Sequence, residues 1–227
     1  MRIRHKPWAR PELEASSFFV MEPDKLKNQW QSAFFRPQPL HIELGCGKGG
    51  FISNLALANP DINYIAVDIK YEMLGLARRK ISKLFEENNR EPLNVLLTAH
   101  NIEYINSMLG ADDKAERIYI NFCNPWPRNK HKKHRLTHPR QLVRYREFLK
   151  DGGDIHFKTD DDGLFADTIK YLGDCGFELA YMTKNLAESG YEPRIITEHE
   201  KMFQDEGLAI KFLIAKKLPD SALEVVK

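Results

Sequence analysis

His41-Ile42-Glu43-Leu44-Gly45-Cys46-Gly47-Lys48-Gly49-Gly50 is an apolar run that breaks into glycines, after which Phe51, Ile52, Leu55 and Ala56 recur at helical spacing. A strand, a glycine turn and a helix start in that order open a βαβ unit. Glycines permit the tight turn and let a ligand approach the backbone, while the helix N-terminus offers exposed amides.

Moving outward, the alternation continues. Strands are expected at Leu40–Leu44, Asn63–Asp68, Leu93–Thr98, Arg117–Phe122, Asp154–Lys158, Phe177–Lys184 and Leu208–Lys216. Helical patterns occupy Gly49–Asn59, Tyr71–Asn88, Thr137–Lys150 (with Thr137 as N-cap) and Asp162–Cys175. This predicts an α/β fold with right-handed crossovers: a seven-stranded, mostly parallel sheet with helices on both faces. The last two strands lack a clear crossover pattern, so an antiparallel C-terminal strand is expected.

The chain has 227 residues, 42% of them hydrophobic and 29% charged, which excludes a mainly disordered or low-complexity protein. One domain spanning 1–227 is expected, with a basic N-terminal arm at about 1–20. Cys46, Cys123 and Cys175 are too few and too scattered for a disulfide framework or zinc site, and suit a reducing cytosol. The basic start is followed by no apolar stretch typical of a signal peptide, and no run approaches the roughly 18 apolar residues of a membrane helix. A soluble, cytoplasmic protein is expected, as a monomer or homodimer and without a membrane partner.

Net charge is only +2, but it is unevenly placed. Residues 1–10 carry +4 and residues 128–146 carry +8, which leaves −10 on the remainder. An acidic body with two basic segments suits a polyanion held in one orientation. His131, His134 and His138 sit among those cations without a nearby carboxylate or cysteine, so no metal is expected.

The spacing Gly45-x-Gly47-x-x-Gly50 also fits the dinucleotide fingerprint, with Asp68 near the place of a ribose-binding acid. A nicotinamide cofactor and S-adenosylmethionine are therefore both open. Glu43 favours the second, because a carboxylate at the strand end opposes a pyrophosphate but suits a sulfonium bearing an amino group. The seven strands point the same way. Asp68 could instead form a turn or cap a helix, and Asn101 could meet an adenine or serve as an N-cap.

After the fourth strand comes Asn121-Phe122-Cys123-Asn124-Pro125-Trp126-Pro127-Arg128. Two prolines stiffen the bend, so the Asn124 amide and Trp126 ring are presented with little entropy left to lose. Trp126 could stack a base, a contact worth about 1–3 kcal/mol in single-stranded recognition, or it could pack beneath the loop. The basic run Asn129-Lys130-His131-Lys132-Lys133-His134-Arg135 follows at once, joining a base-sized site to phosphate-attracting charge.

Glu43-Leu-Gly-Cys-Gly-Lys-Gly, Asn124-Pro-Trp-Pro-Arg128 with its basic tail, His156-Phe-Lys-Thr159-Asp160 and Thr197-Glu198-His199-Glu200 occur in one order. In that order and over about residues 1–217, the chain resembles the bacterial tRNA (guanine-N7)-methyltransferases. The resemblance implies a Rossmann-like class I methyltransferase that uses S-adenosylmethionine and methylates guanine at position 46 of the tRNA variable loop. Carried over by position, Glu43, Gly45, Gly47, Asp68, Asn101 and Asn124 would contact the cofactor. Arg128, Asp160, Thr197, Glu198, His199 and Glu200 would meet the guanine, and Lys130, His131, Lys132, Lys133, His134 and Arg135 would bind RNA. Asn124 stands where the family usually has Asp, Arg128 where it has Lys, and His199 where it has Tyr.

Guanine N7 carries an in-plane lone pair and no proton, so its attack on a sulfonium methyl needs placement rather than a base. Asn124 is the expected catalytic residue in that aligning sense. Two other activities remain open on the residues. One is an exocyclic-amine nucleic-acid methyltransferase, since Asn-Pro-Trp is similar to that group's Asn-Pro-Pro-aromatic motif. The other is a non-catalytic RNA-binding protein on the same fold.

Overall fold

A computed structural model describes residues 4–192 and 195–223. Tertiary contacts divide the chain into two units, Met1–Asp113 and Lys114–Lys227.

In the first unit the elements are α1 (Ala9–Glu14), β1 (Phe19–Val20), β2 (Leu40–Leu44), α2 (Gly50–Ala58), β3 (Asn63–Asp68), α3 (Tyr71–Glu87) and β4 (Val95–Ala99). The strands run in the order β1-β4-β3-β2, all parallel, with Leu44 opposite Val67 and Asp68 opposite Ala99. Every residue of β2 is buried, as fits a strand covered on both sides. The buried stripe of α3 is Leu74, Ala77, Ile81 and Phe85, at the 3–4 residue spacing of a helix face packed on a sheet.

The second unit holds β5 (Ala115–Asn121), α4 (Pro139–Phe148), β6 (Leu149–Thr159), α5 (Asp162–Asp174), β7 (Phe177–Thr183), α6 (Glu198–Asp205), β8 (Lys211–Lys217) and α7 (Asp220–Leu223). Its strands run β5-β6-β8-β7. β5 and β6 are parallel, and β8 is antiparallel to both β6 and β7, which is the expected antiparallel C-terminal strand.

Two expectations need correction. Among the described residues there are eight strands, not seven: β1 is the addition, and two residues are too few to carry a period of two. The N-cap of α4 is His138, whose ring nitrogen accepts from the Arg140 amide, with Pro139 in the first turn. Thr137, expected as that cap, is wholly buried and shares a 2.7 Å hydroxyl contact with Thr168. From Trp8 onward the N-terminal segment is tied to α3: the Arg79 guanidinium lies 3.4 Å over the Trp8 ring and pairs with Glu12.

Candidate active site

In the first unit, the glycine turn is fastened to the carboxyl end of β3. The amides of Gly45 and Cys46 donate to the Val67 carbonyl at 2.8 and 3.0 Å. Gly47, at φ +55°, donates its amide to Asp68 Oδ2 at 3.0 Å, while Asp68 Oδ1 accepts from the Lys70 amide at 2.9 Å. A Cβ on Gly47 would meet nothing within 4 Å, so glycine here supplies the left-handed turn and an open backbone face. At Gly49, a Cβ would stand 2.6 Å from the Ala77 Cβ, so only glycine lets α2 approach α3 this closely.

Burial pushes the Asp68 carboxyl up, against hydrogen bonds from the Lys70 and Gly47 amides that hold it down. Glu43, on β2, is 2% exposed. Burial, then the charges of Glu43 and Asp68, drive the Cys46 thiol well up, so it is inert and the turn lies in a negative field. Asn101 caps the 3-10 turn Ile102–Ser107, its side-chain oxygen accepting from the Glu103 amide at 3.0 Å. The capping alternative therefore holds for the Asn101 oxygen, and its NH2 is what it can offer a ligand acceptor.

In the second unit, Phe122 (φ +52°) and Trp126 (φ +42°) both adopt the left-handed conformation, bracketing Asn124. The Asn124 side-chain oxygen accepts from the Trp126 amide at 3.0 Å, an Asx-turn that closes the bend. The Trp126 ring is half-buried and lies 5.8 and 5.5 Å from the rings of His131 and His134, on the 3-10 turn Asn129–His134.

The basic run is divided in role. Arg135 is buried; its Nε donates to the Pro125 carbonyl and its NH1 to Asp167 on α5, both at 2.6 Å. Lys132 also donates to Asp167, at 2.8 Å. Hydrogen bonds from Lys132 and Arg135 hold the Asp167 carboxyl below its usual range. Two of the six residues expected to bind RNA are thus committed to fixing the loop. Arg128, Lys130 and Lys133 are exposed.

Asp160 follows β6 and is exposed, and it is Asp161 that caps α5 through the Leu164 amide. Thr197 caps α6 by accepting from the Glu200 amide at 2.9 Å. Glu200 is fully buried, and its Oε2 accepts from Lys158 Nζ at 2.9 Å. Glu198 and His199 lie in the first turn of α6, but their side chains fall outside the described residues.

Residues 37–213 match a family model described as "Putative methyltransferase". A tRNA (guanine-N(7)-)-methyltransferase of Clostridium perfringens strain SM101 is 56% identical over 96% of this chain and 100% of that protein. A protein of the same name from Ruminiclostridium cellulolyticum is 56% identical over 95% of this chain and 92% of its own length. The chain belongs to the tRNA (guanine-N7)-methyltransferase family. The crystal structure of the 16S rRNA methyltransferase KamB has a similar fold, with a TM-score of 0.58 and 14% identity over 84% of this chain and 92% of that one. Such structural neighbours give a tRNA (guanine-N7)-methyltransferase of this kind the class I methyltransferase architecture.

Residues that the structure sets against the expected site residues, and that were not singled out from sequence, are Asp167 (to Lys132 and Arg135), Lys158 (to Glu200) and the packed pair Phe122 and Phe203. Lys158 did carry a signal, since a lysine inside the buried strand run Ile155–Thr159 calls for a buried partner. Among the described residues no three His, Cys, Asp or Glu could hold a metal ion, and no helix is long and apolar enough to cross a membrane.

Proposed function

We propose that this protein transfers the methyl group of S-adenosylmethionine to N7 of guanine 46 in the variable loop of tRNA. The observation that carries the reading is the locked bend of the second unit, where two left-handed residues, an Asx-turn and the buried Arg135 fix Asn124 beside exposed cations. A bend so constrained is already organised before RNA arrives, which suits a reaction whose barrier is lowered by placement.

The first unit fits the methyl donor. Gly47 leaves its backbone face open, Asp68 accepts two amides and has lone pairs left for ribose hydroxyls, and Glu43 and Asp68 supply negative charge. Glu43, Gly45, Gly47, Asp68, Asn101 and Asn124 would hold this cofactor, which supplies an electrophilic methyl group. In the acceptor half, Asp160, Arg128 and Thr197 to Glu200 orient the guanine, while Lys130, Lys133 and His131 attract phosphates. Carboxylates at the base favour the positive charge that N7 acquires. Orientation alone can supply about 7–11 kcal/mol of a barrier, and Asn124, which cannot take a proton, serves in that role.

Incubation with labelled S-adenosylmethionine and unmodified tRNA, followed by nucleoside analysis, tests this. The expected product is 7-methylguanosine at position 46, lost when that guanine is replaced. A methyl on an exocyclic amine, or RNA binding without transfer, would overturn the reading.

A further inference from the structure

Within the second unit, Lys158 and Glu200 form an ion pair with both side chains out of solvent: 8% of the Lys158 side chain is exposed and none of the Glu200 side chain. Lys158 Nζ donates to Glu200 Oε2 at 2.9 Å and to the Ile195 carbonyl at 3.3 Å. One ammonium on β6 thus grips the stretch before α6 and the first turn of α6 together. Thr197 lies between those two grips and is itself buried, capping Glu200. Thr197-Glu198-His199-Glu200 is a capping-box sequence, yet the Glu200 carboxylate turns to Lys158. Among the described residues its other oxygen, Oε1, is buried without a hydrogen-bond partner. A buried carboxylate held through one oxygen, with the second unsatisfied, is oriented for an N–H donor that none of the described residues supplies.

We infer that Lys158 is a positioning residue for the acceptor base: it seats α6 on β6 and aims Glu200 Oε1 at an N–H of the purine edge. The inference rests on the proposed methyl transfer only for what Oε1 receives. The seating of α6 is independent of it. The chemistry selects a base with donors on its pairing edge, as guanine has at N1 and its exocyclic amine.

The test compares Lys158→Met, Lys158→Arg and the double variant Lys158→Met/Glu200→Gln in the full chain. Amide exchange in residues 197–205 of the free protein reads the seating. It is expected to speed up in Lys158→Met and to return towards wild type in Lys158→Arg and in the double variant, which carries no unpaired charge. Turnover on tRNA reads the aim. Lys158→Met is expected to lose about a hundredfold in kcat, the loss typical of misplacement by about 1 Å, with S-adenosylmethionine affinity unchanged. Lys158→Arg should recover most of that turnover, and the double variant should not, because it lacks the carboxylate. Wild-type exchange or wild-type kcat in Lys158→Met would overturn the inference, as would full turnover in the double variant. If the wild-type protein itself transferred no methyl group, the proposed function would fail, while the exchange data would still decide the seating of α6.

Discussion

Phe203 of α6 lies against Phe122 at the end of β5, with ring centroids 5.7 Å apart and planes tilted by 43°. Phe122 is left-handed, and it is the residue at which the chain leaves β5 for Cys123 and Asn124. A bulky residue in that conformation costs of order 1–3 kcal/mol and persists only where its surroundings over-determine it. Both rings pack on the buried cluster Leu186, Ile210 and Phe212, so α6 and the Asn124 bend share one support.

Phe203→Ala should therefore act at a distance. Phe203 is half-buried, so the stability loss should be about 1–3 kcal/mol, below that of a fully buried phenylalanine. Single-turnover methyl transfer should fall further than stability accounts for, and Phe203→Leu should restore most of it. Normal transfer in Phe203→Ala would separate α6 from the bend.

Asn124 offers a cleaner distinction between alignment and proton transfer. Its side-chain oxygen receives the Trp126 amide, an acceptor that aspartate reproduces and alanine lacks. Asn124→Asp should keep the bend and the activity. Asn124→Ala should leave Trp126 strained without its Asx-turn and lower kcat by at least about tenfold, roughly the 1.4 kcal/mol of one hydrogen bond. An alanine variant as fast as wild type would remove Asn124 from the mechanism.

The cations after the bend should separate by role when measured against salt. Lys130 and Lys133 are exposed, and removing each should reduce the slope of log Kobs against log salt by about 0.7–0.9. Lys132→Ala should alter that slope much less and should instead loosen the loop, because Lys132 is engaged with Asp167. Asp167→Ala, which leaves the buried Arg135 the Pro125 carbonyl but no carboxylate among the described residues, should reproduce the loosening without removing any cation. Filter binding across a salt series, paired with thermal unfolding, distinguishes the two groups.

Much of this architecture can be read from period and spacing. The runs at Leu40–Leu44 and Asn63–Asp68 coincide with observed strands, because strands buried on both sides are continuous apolar stretches. Gly45, Gly47 and Asp68 meet at one turn because β2 and β3 are neighbouring parallel strands, a juxtaposition that the fingerprint spacing announces. What remains hidden is pairing over long separations. Arg135 reads as one more cation in a basic run until Asp167, 32 residues on, is seen to receive it. Glu200 reads as a guanine contact in the Thr197–Glu200 motif, with nothing to show that its carboxylate is buried on Lys158, 42 residues earlier. β1 escapes notice because two residues carry no pattern.

The last such pairing gives the protein a defined acid response. Arg117 on β5 donates to both oxygens of Asp154 on β6, at 2.6 and 3.0 Å. Burial by itself would raise the Asp154 carboxyl, but contacts from His156 and Arg117 outweigh it and hold the group at about 2. A carboxyl depressed on folding binds its proton more readily in the unfolded chain. Its stabilisation is therefore fully present above the unfolded value near 3.8 and is lost as pH falls towards 2. The difference corresponds to about 1–2 kcal/mol at neutral pH, given that the pair is only partly shielded from water. Asp154→Asn should be less stable than wild type at pH 7, since Arg117 loses its counter-charge. The gap between the two proteins should narrow from about pH 4 downward as the wild-type carboxylate is protonated. Urea unfolding at a series of pH values from 2 to 7 measures that gap, and two parallel stability curves would show that Asp154 does not carry the acid response.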